Sequence, residues 1–413
     1  MHKNLLRKNI LMLLLLVAFM IISAGTALAQ DLPQPLCGKL DEADCTILAD
    51  SQKAMMDVES LTTSSSIDLN LSGIPDLPFD KLALNLTQDS TISMDPEVVK
   101  SLADFQAQLA TAKPADVEKL TKDYTDLIIK LYQTLGLDMD LTLTMPQDIA
   151  DLLSAEAGGE VTVPEKINIQ ARMIDGYLYV NLDKLAEVMP ELAEFKGWYG
   201  LDMVTLVTKG LEQAEKRQAS EVQGFQAGLG AGTFVSSDAF REMVKDYVNV
   251  ERQEDDKLDL QTVAVFDTTF DFGGFVASQA FQDLLKGQLD TINQISEQKI
   301  TAQEFDEGMM GLRFLGPALF QDLKFNVVQN IGVDDSYVYR SETHLNWDLK
   351  SLMGFVAMAQ GGGKTPAAMP DTAPVISFDV TTDYADFNDT TAIEKPEDAV
   401  IIPLDQVDMN SVQ

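Results

Sequence analysis

The chain has 413 residues, with 65 acidic against 30 basic side chains and a formal net charge of −35 at pH 7. That charge argues against nucleic acid and against adhesion to anionic lipid headgroups, though not against sheltering a lipid's tails in a pocket. Two histidines and two cysteines are too few for a zinc site.

Residues 1–29 read as an export signal. Lys3, Arg7 and Lys8 precede an apolar run from Ile10 to Ile22, and Ala27-Leu28-Ala29 supplies the small residues that a signal peptidase requires. Cleavage before Gln30 would leave an exported chain, extracellular or in the cell envelope, with no later stretch apolar enough to span a bilayer. The signal carries no acid, so the mature chain is more acidic still. Cys37 and Cys45 predict a disulfide, as a close pair in an exported protein usually does. Closing so short a loop contributes roughly 2.5 kcal/mol on the chain-entropy model. The alternative is a lipid-modified Cys37, which Pro35-Leu36 suits poorly.

Asp41 can cap a helix running to about Val58, with Asp44 favouring its positive end. Two alternating strands follow. Ile67, Leu69 and Leu71 share one face of the first; Leu82, Leu84, Leu86, Ile92 and Met94 share one face of the second. Asp95-Pro96-Glu97 opens a helical insertion over 96–135. In its second helix Leu120, Tyr124, Leu127, Ile128, Leu131 and Leu135 form an amphipathic stripe. A strand over 137–145, a short helix over 147–154 and a strand over 161–173 come next. Asp175-Gly176 then turns the chain into a strand over 177–182. Trp198 to Asp202 reads as a short strand leading into a helix.

A second insertion falls near 210–240, of which 218–232 is rich in Gly, Gln and Ala. A strand pair, 247–252 and 258–272, turns at Glu254-Asp255-Asp256. Helices run over 276–320, with a capping box at Thr301 and Glu304. A hairpin pairs 323–331 with 336–347 around Asp334-Asp335, and 361–374 is a loop. In the closing strand Ile376, Phe378, Val380 and Tyr384 face one way while Ser377, Asp379, Thr381 and Asp383 face the other. About ten antiparallel strands without βαβ alternation argue for α+β and against a doubly wound sheet. One domain over 30–405 with a tail over 406–413 is the favoured division, and two fused half-size domains are the alternative.

The closing strand ends in Tyr384, Asp386-Phe387-Asn388, Ile393, Pro396 and Ala399. This ending resembles that of the exported lipid carriers of the LolA-like superfamily, particularly the LppX/LprG-type lipoproteins, with their "Y-x-D-F-N, then I-x-x-P-x-x-A" pattern. The resemblance implies a strongly curved antiparallel β-sheet, a half-barrel, with helices on its concave face and a cavity for acyl chains between them. The insertions enlarge this chain beyond such a fold. The ligand implied is a lipid or other apolar small molecule, held without a chemical step or cofactor.

Residues expected on buried faces are the candidates for the cavity wall: Met139, Met145, Met173, Tyr177, Tyr179, Trp198, Phe270, Phe272, Met309, Met310, Phe314, Phe325 and Trp347. Each can equally be core filler. His344 is expected on a wet face with no partner for nucleophilic catalysis. Gly361-Gly362-Gly363-Lys364-Thr365 imitates a phosphate loop without its following helix and reads as a plain loop. Asp383, Asp386, Asn388 and Asp389 suit a solvated turn better than a calcium site. Two other readings stand beside the carrier. One is a structural envelope protein with a filled core that docks a protein partner. The other is a carboxylate-based hydrolase.

Overall fold

The computed structural model describes residues 35–73, 81–111, 117–156, 162–183, 195–216, 238–287, 299–354 and 373–403, with 186, 289 and 293. The signal peptide, the Gly-rich stretch at 218–232, the loop at 361–372 and the tail lie outside the described residues.

The chain enters through α1 (Glu42–Met56), whose N-terminus is capped by Asp41 accepting from the Asp44 N–H at 2.9 Å. Cys37 and Cys45 are joined, which ties the preceding arm to the first turn of α1. β1 (Ser60–Ser72) and β2 (Lys81–Ser93) follow, then a helical hairpin of α2 (Pro96–Thr111) and α3 (Val117–Thr134). β3 (Gly136–Thr144), α4 (Gln147–Glu156), β4 (Lys166–Ile174), β5 (Tyr177–Asn181) and β6 (Trp198–Asp202) complete the first half. The second half runs α5 (Met203–Lys216), α6 (Asp238–Val244), β7 (Val248–Arg252), β8 (Asp256–Leu258), β9 (Gln261–Phe270), α7 (Phe272–Ala277), α8 (Gln279–Gly287) and α9 (Ala302–Phe320). It ends with β10 (Leu323–Gly332), β11 (Val338–Asp348), β12 (Val375–Ala385) and β13 (Val400–Ile401). Thr301 and Glu304 form the expected capping box at α9.

All the strands join one 13-stranded open sheet in the order β13-β6-β5-β4-β3-β2-β1-β12-β11-β10-β9-β7, with β8 on β9. It consists of two meanders, β1 to β6 and β7 to β12, sewn together where β12 inserts between β1 and β11. The sheet is antiparallel except at one margin, where β13 runs parallel to β6. That pair lies beyond the strand expected to close the sheet. A second correction concerns β7 to β9. The tight turn falls at Asp259-Leu260, where Asp259 is left-handed (φ 53°), and not at Glu254 to Asp256. The acids at 255 and 256 are instead used by an Arg252–Asp255 ion pair and by the start of β8.

Three groups of helices cover the inward face. Tyr132 and Ile128 of α3, with Met203 and Leu206 of α5, pack onto Leu137, Met139, Met173, Leu178 and Leu201 of β3 to β6. Ile149 and Ala150 of α4 fold over Leu82, Leu84, Leu143 and Ile167 near the ends of β2 to β4. α1 seats Leu48 and Met55 against Val250, Phe266, Ile331 and Val338 of the second half.

The motif that closes β12 is a clasp. Asp386 and Asn388 take left-handed backbone angles (φ 53° and 59°), which Asp and Asn tolerate better than most residues. The Asn388 Oδ1 accepts from Glu59 N at 2.7 Å and Ser60 N at 3.3 Å, while the Asn388 N–H donates to the Ser60 carbonyl at 2.7 Å. Thr62 donates to Asp386, and Phe387 stacks on Tyr337 with ring centres 4.3 Å apart. The end of β12 is thereby fixed to the start of β1. Asn388→Gly keeps the backbone angle available and deletes only the side-chain bonds. It is expected to lower the unfolding free energy by about 0.5–1.5 kcal/mol. Asn388→Ala should lose roughly a further 1 kcal/mol to left-handed strain. Denaturant titration of the two variants checks this order; equal stability with the parent would show that the clasp does not hold the seam.

Candidate functional site

A cavity of about 860 Å³ lies between α1 and the inward face of the sheet. Its walls come from β2, β1, β12, β11, β10, β9 and β7, through side chains on one face of each strand. Seven strands laid flat would extend over roughly 29 Å at about 4.8 Å per step, so one cavity can touch all seven only because the sheet curls around it. Leu48, Ser51, Gln52, Met55 and Met56 form the roof, at the three- and four-residue spacing of one helix face. Pro35 and Leu36 of the disulfide-tied arm close one side. Gly38, at φ +53°, lets that arm approach the backbone of β7, since a Cβ there would lie 3.2 Å from Val250 N.

The structure disperses the thirteen sequence candidates. Phe270, Phe272 and Phe325 line the cavity, in an edge-to-face chain with centroids 4.6 and 5.7 Å apart. Met139 and Met173 face inward as expected, but α3 and α5 fill the space above them. Met145 is packed beneath α4. Tyr177, Tyr179 and Trp198 lie on the opposite face. Lys395 sits over the two tyrosine rings and Arg172 over Trp198. Parity misleads there because the segment leading to β13 covers the outer face of β5 and β6, so both faces are buried. Trp347 stacks on Phe320 at the end of α9. On α9 itself Met309 is buried away from the cavity, whereas Met310 and Phe314 are 65% and 84% exposed. Sequence reasoning missed Thr63, Ser65, Gln88, Gln329, Ser341 and Thr382, which also face the cavity. They are polar, so a search for oily periodicity passed over them.

On the outer face, His344 Nδ1 lies 2.8 Å from Asp379 Oδ1. The hydroxyl of Ser377 also goes to Asp379, at 3.0 Å, and not to the histidine. The acids at the end of β12 and in the turn after it are likewise engaged, with Asp383 on Arg340 and Asp386 on Thr62. Among the described residues no three potential metal ligands cluster, and no helix is long and apolar enough to cross a membrane.

No protein-family profile and no curated protein matches the chain. The solved structures similar to it include two that cover most of the chain. The Mycobacterium tuberculosis lipoprotein LppX is 9% identical, with 86% of this chain and 100% of that one covered at a TM-score of 0.29. A DUF1329 family protein from Desulfovibrio piger is 8% identical over 89% and 99%, with a TM-score of 0.17. Both TM-scores are low, and the architecture described above rests on this chain's own register. An open curved sheet with helices on its inner face is the architecture that the ending of β12 led us to expect.

Burial pushes the Tyr384 hydroxyl above the ordinary tyrosine value of 10.0. The fold favours the neutral phenol. Its contribution to stability is therefore present below pH 10.0 and is lost as pH rises through the raised value. Comparing phenolate absorbance titrations of the parent and Tyr384→Phe should locate the missing step above 10.0. A step at or below that value would mean that this wall of the cavity is wet.

Proposed function

We propose that this chain is an exported binding protein that holds a lipid or another largely apolar small molecule between α1 and the curled sheet, with no chemical step. The observation that carries the reading is the cavity itself. Some 860 Å³ is left open at a place where neighbouring parts of the same sheet are packed solid, and among the described residues its lining contains no charged side chain. In a chain with 65 acidic residues that is a segregated interior. The basic, apolar and small-residue segments of 1–29 support export, and the Cys37–Cys45 bond suits an oxidising compartment.

The energetics set a lower limit on the guest. Ten buried methylenes gain about 8 kcal/mol gross. Association costs roughly 4–15 kcal/mol in lost freedom. A single short chain would bind weakly, and a long or paired acyl chain would bind usefully.

Native mass spectrometry of protein purified without detergent should find an added mass that organic extraction removes. The extracted protein should then take up an uncharged fluorescent lipid probe. Val380 lies mid-strand on the cavity floor. Val380→Lys places a cation there and is expected to weaken uptake by at least about tenfold while circular dichroism stays unchanged. A preparation with no added mass and no uptake would end this reading. N-terminal sequencing of the secreted chain should begin at Gln30; an intact N-terminus on exported protein would replace cleavage with retention of the segment.

A further inference from the structure

The cavity floor carries a polar stripe whose registry is continuous. Gln329 of β10 faces Ser341 of β11, Ser341 faces Thr382 of β12, Thr382 faces Ser65 of β1, and Ser65 faces Gln88 of β2. All five line the cavity. Five adjacent strands thus each place an uncharged hydrogen-bonding side chain in one line, roughly 19 Å long at about 4.8 Å per strand. The next register position is apolar at both ends: Gln329 faces Phe266 on β9, and Gln88 faces Leu141 on β3. Along the strands the stripe is flanked on one side by Val380, Ile67 and Leu86, with Phe325 beyond, and on the other by Ile331, Val338 and Tyr384 and by the mutually bonded pair Thr63 and Ser90, with Ile92 beyond them.

Part of the stripe is satisfied internally. Ser65 donates to Thr382 at 3.0 Å, and beside it Thr63 and Ser90 share a bond of 2.6 Å. Gln88, Gln329 and Ser341 have no side-chain hydrogen bond to any described residue. A carboxamide offers two donors and an acceptor, and a hydroxyl offers one of each kind. A pure hydrocarbon lying over them would strip their water and return nothing. A carboxylate or phosphate would find no cation among the described lining residues and would enter a strongly negative molecule uncompensated.

We infer that the Gln329–Ser341–Thr382–Ser65–Gln88 stripe selects an uncharged lipid whose ester, amide or hydroxyl groups lie part-way along the molecule, across the middle of the cavity, with apolar portions on both sides. This rests on the carrier reading and narrows it to a ligand class and to the residues that discriminate. Gln88 and Gln329, at opposite ends of the stripe, act as its two free amide contacts. The polar part of the guest is inside the cavity and not at its mouth.

The test is displacement of bound Nile red, an uncharged probe, from extracted full-length protein at pH 8. The competitors are a wax ester with its ester group mid-chain, and a fatty-acid anion and an alkane of the same overall length. The wax ester should compete about tenfold better than either of the others. Gln88→Leu, Gln329→Leu and the double variant should erase that preference while leaving alkane competition unchanged or improved. Equal competition by all three ligands on the parent protein would overturn the stripe's role and leave the carrier reading standing, and this arm needs no variant to fold. A preference that survives in folded double variants would also overturn it. If Nile red does not bind at all, the carrier reading falls and the inference falls with it.

Discussion

The pairing of β1 with β12 is the constraint on which the rest of the molecule depends. Eleven register pairs, from Thr62–Ala385 to Ser72–Val375, join segments more than three hundred positions apart in the chain. Without them there are two separate meanders and no common concave face. With them, β1 and β12 lie at the centre of the sheet and form the cavity floor. Because side chains alternate, a slip of one residue along this seam would turn Ile67, Leu69, Phe378 and Val380 outward and bring Asp68 and Asp379 in. The Asn388 clasp sits at one end of the seam, where it fixes the register at the first residues of β1.

The two halves of the inner surface answer the same burial requirement in different ways. Over β3 to β6 every inward position is Leu, Ile, Met, Val, Ala or Tyr, and α3 and α5 close down on it. Over β1, β12 and β11 the inward positions include Thr63, Ser65, Thr382 and Ser341. An apolar helix face laid directly on these would bury hydroxyls and amides without partners, which costs more than the contact returns. α1 accordingly anchors on the apolar β7, β9 and β10 side through Leu48, Phe266 and Ile331, and the cavity lies between it and the polar stripe. The hollow follows from which residues face it. Polar floor residues that water can serve allow such a space to persist.

The same division explains what could be read from the sequence. Strands with one wet and one dry face, such as β1, β2, β11 and β12, announce themselves by period-two alternation. α1 and α9 announce themselves by Asp41 and by Thr301 with Glu304. The Cys37–Cys45 bond was favoured over a lipid-modified Cys37 by the closeness of the pair taken together with the export signal. β5 defeated the method because it is buried on both sides, so Tyr179 looked as inward as Leu178. Met139, Met145 and Met173 were placed on the correct face, but no local pattern tells a residue whether a helix or a void lies above it. The stretch Thr62-Thr63-Ser64-Ser65-Ser66 has no hydrophobic alternation, so its inward members become visible only through their partners Ser90, Gln88 and Thr382 across the sheet. Met310 and Phe314 show the opposite failure, oily residues at helical spacing that face solvent.

The acidity of the chain has its structural counterpart on the outer face. Asp68 stands directly opposite Asp379, and Asp89 directly opposite Asp140. Like charges placed so are mildly unfavourable. The first pair is relieved locally: Asn85 donates to Asp68 at 2.9 Å, and His344 and Ser377 bond Asp379. Its neighbour Asp383 is held by Arg340. What the repulsion costs is returned as orientation. The carboxylates on this face, Asp68 of β1, Asp89 of β2, Asp138 and Asp140 of β3 and Asp379 and Asp383 of β12, make the alternative, with this face turned inward, far more expensive than a neutral polar face would. It also deters other chains from stacking on the sheet. The negative charge is then a determinant of which side of the sheet is hollow.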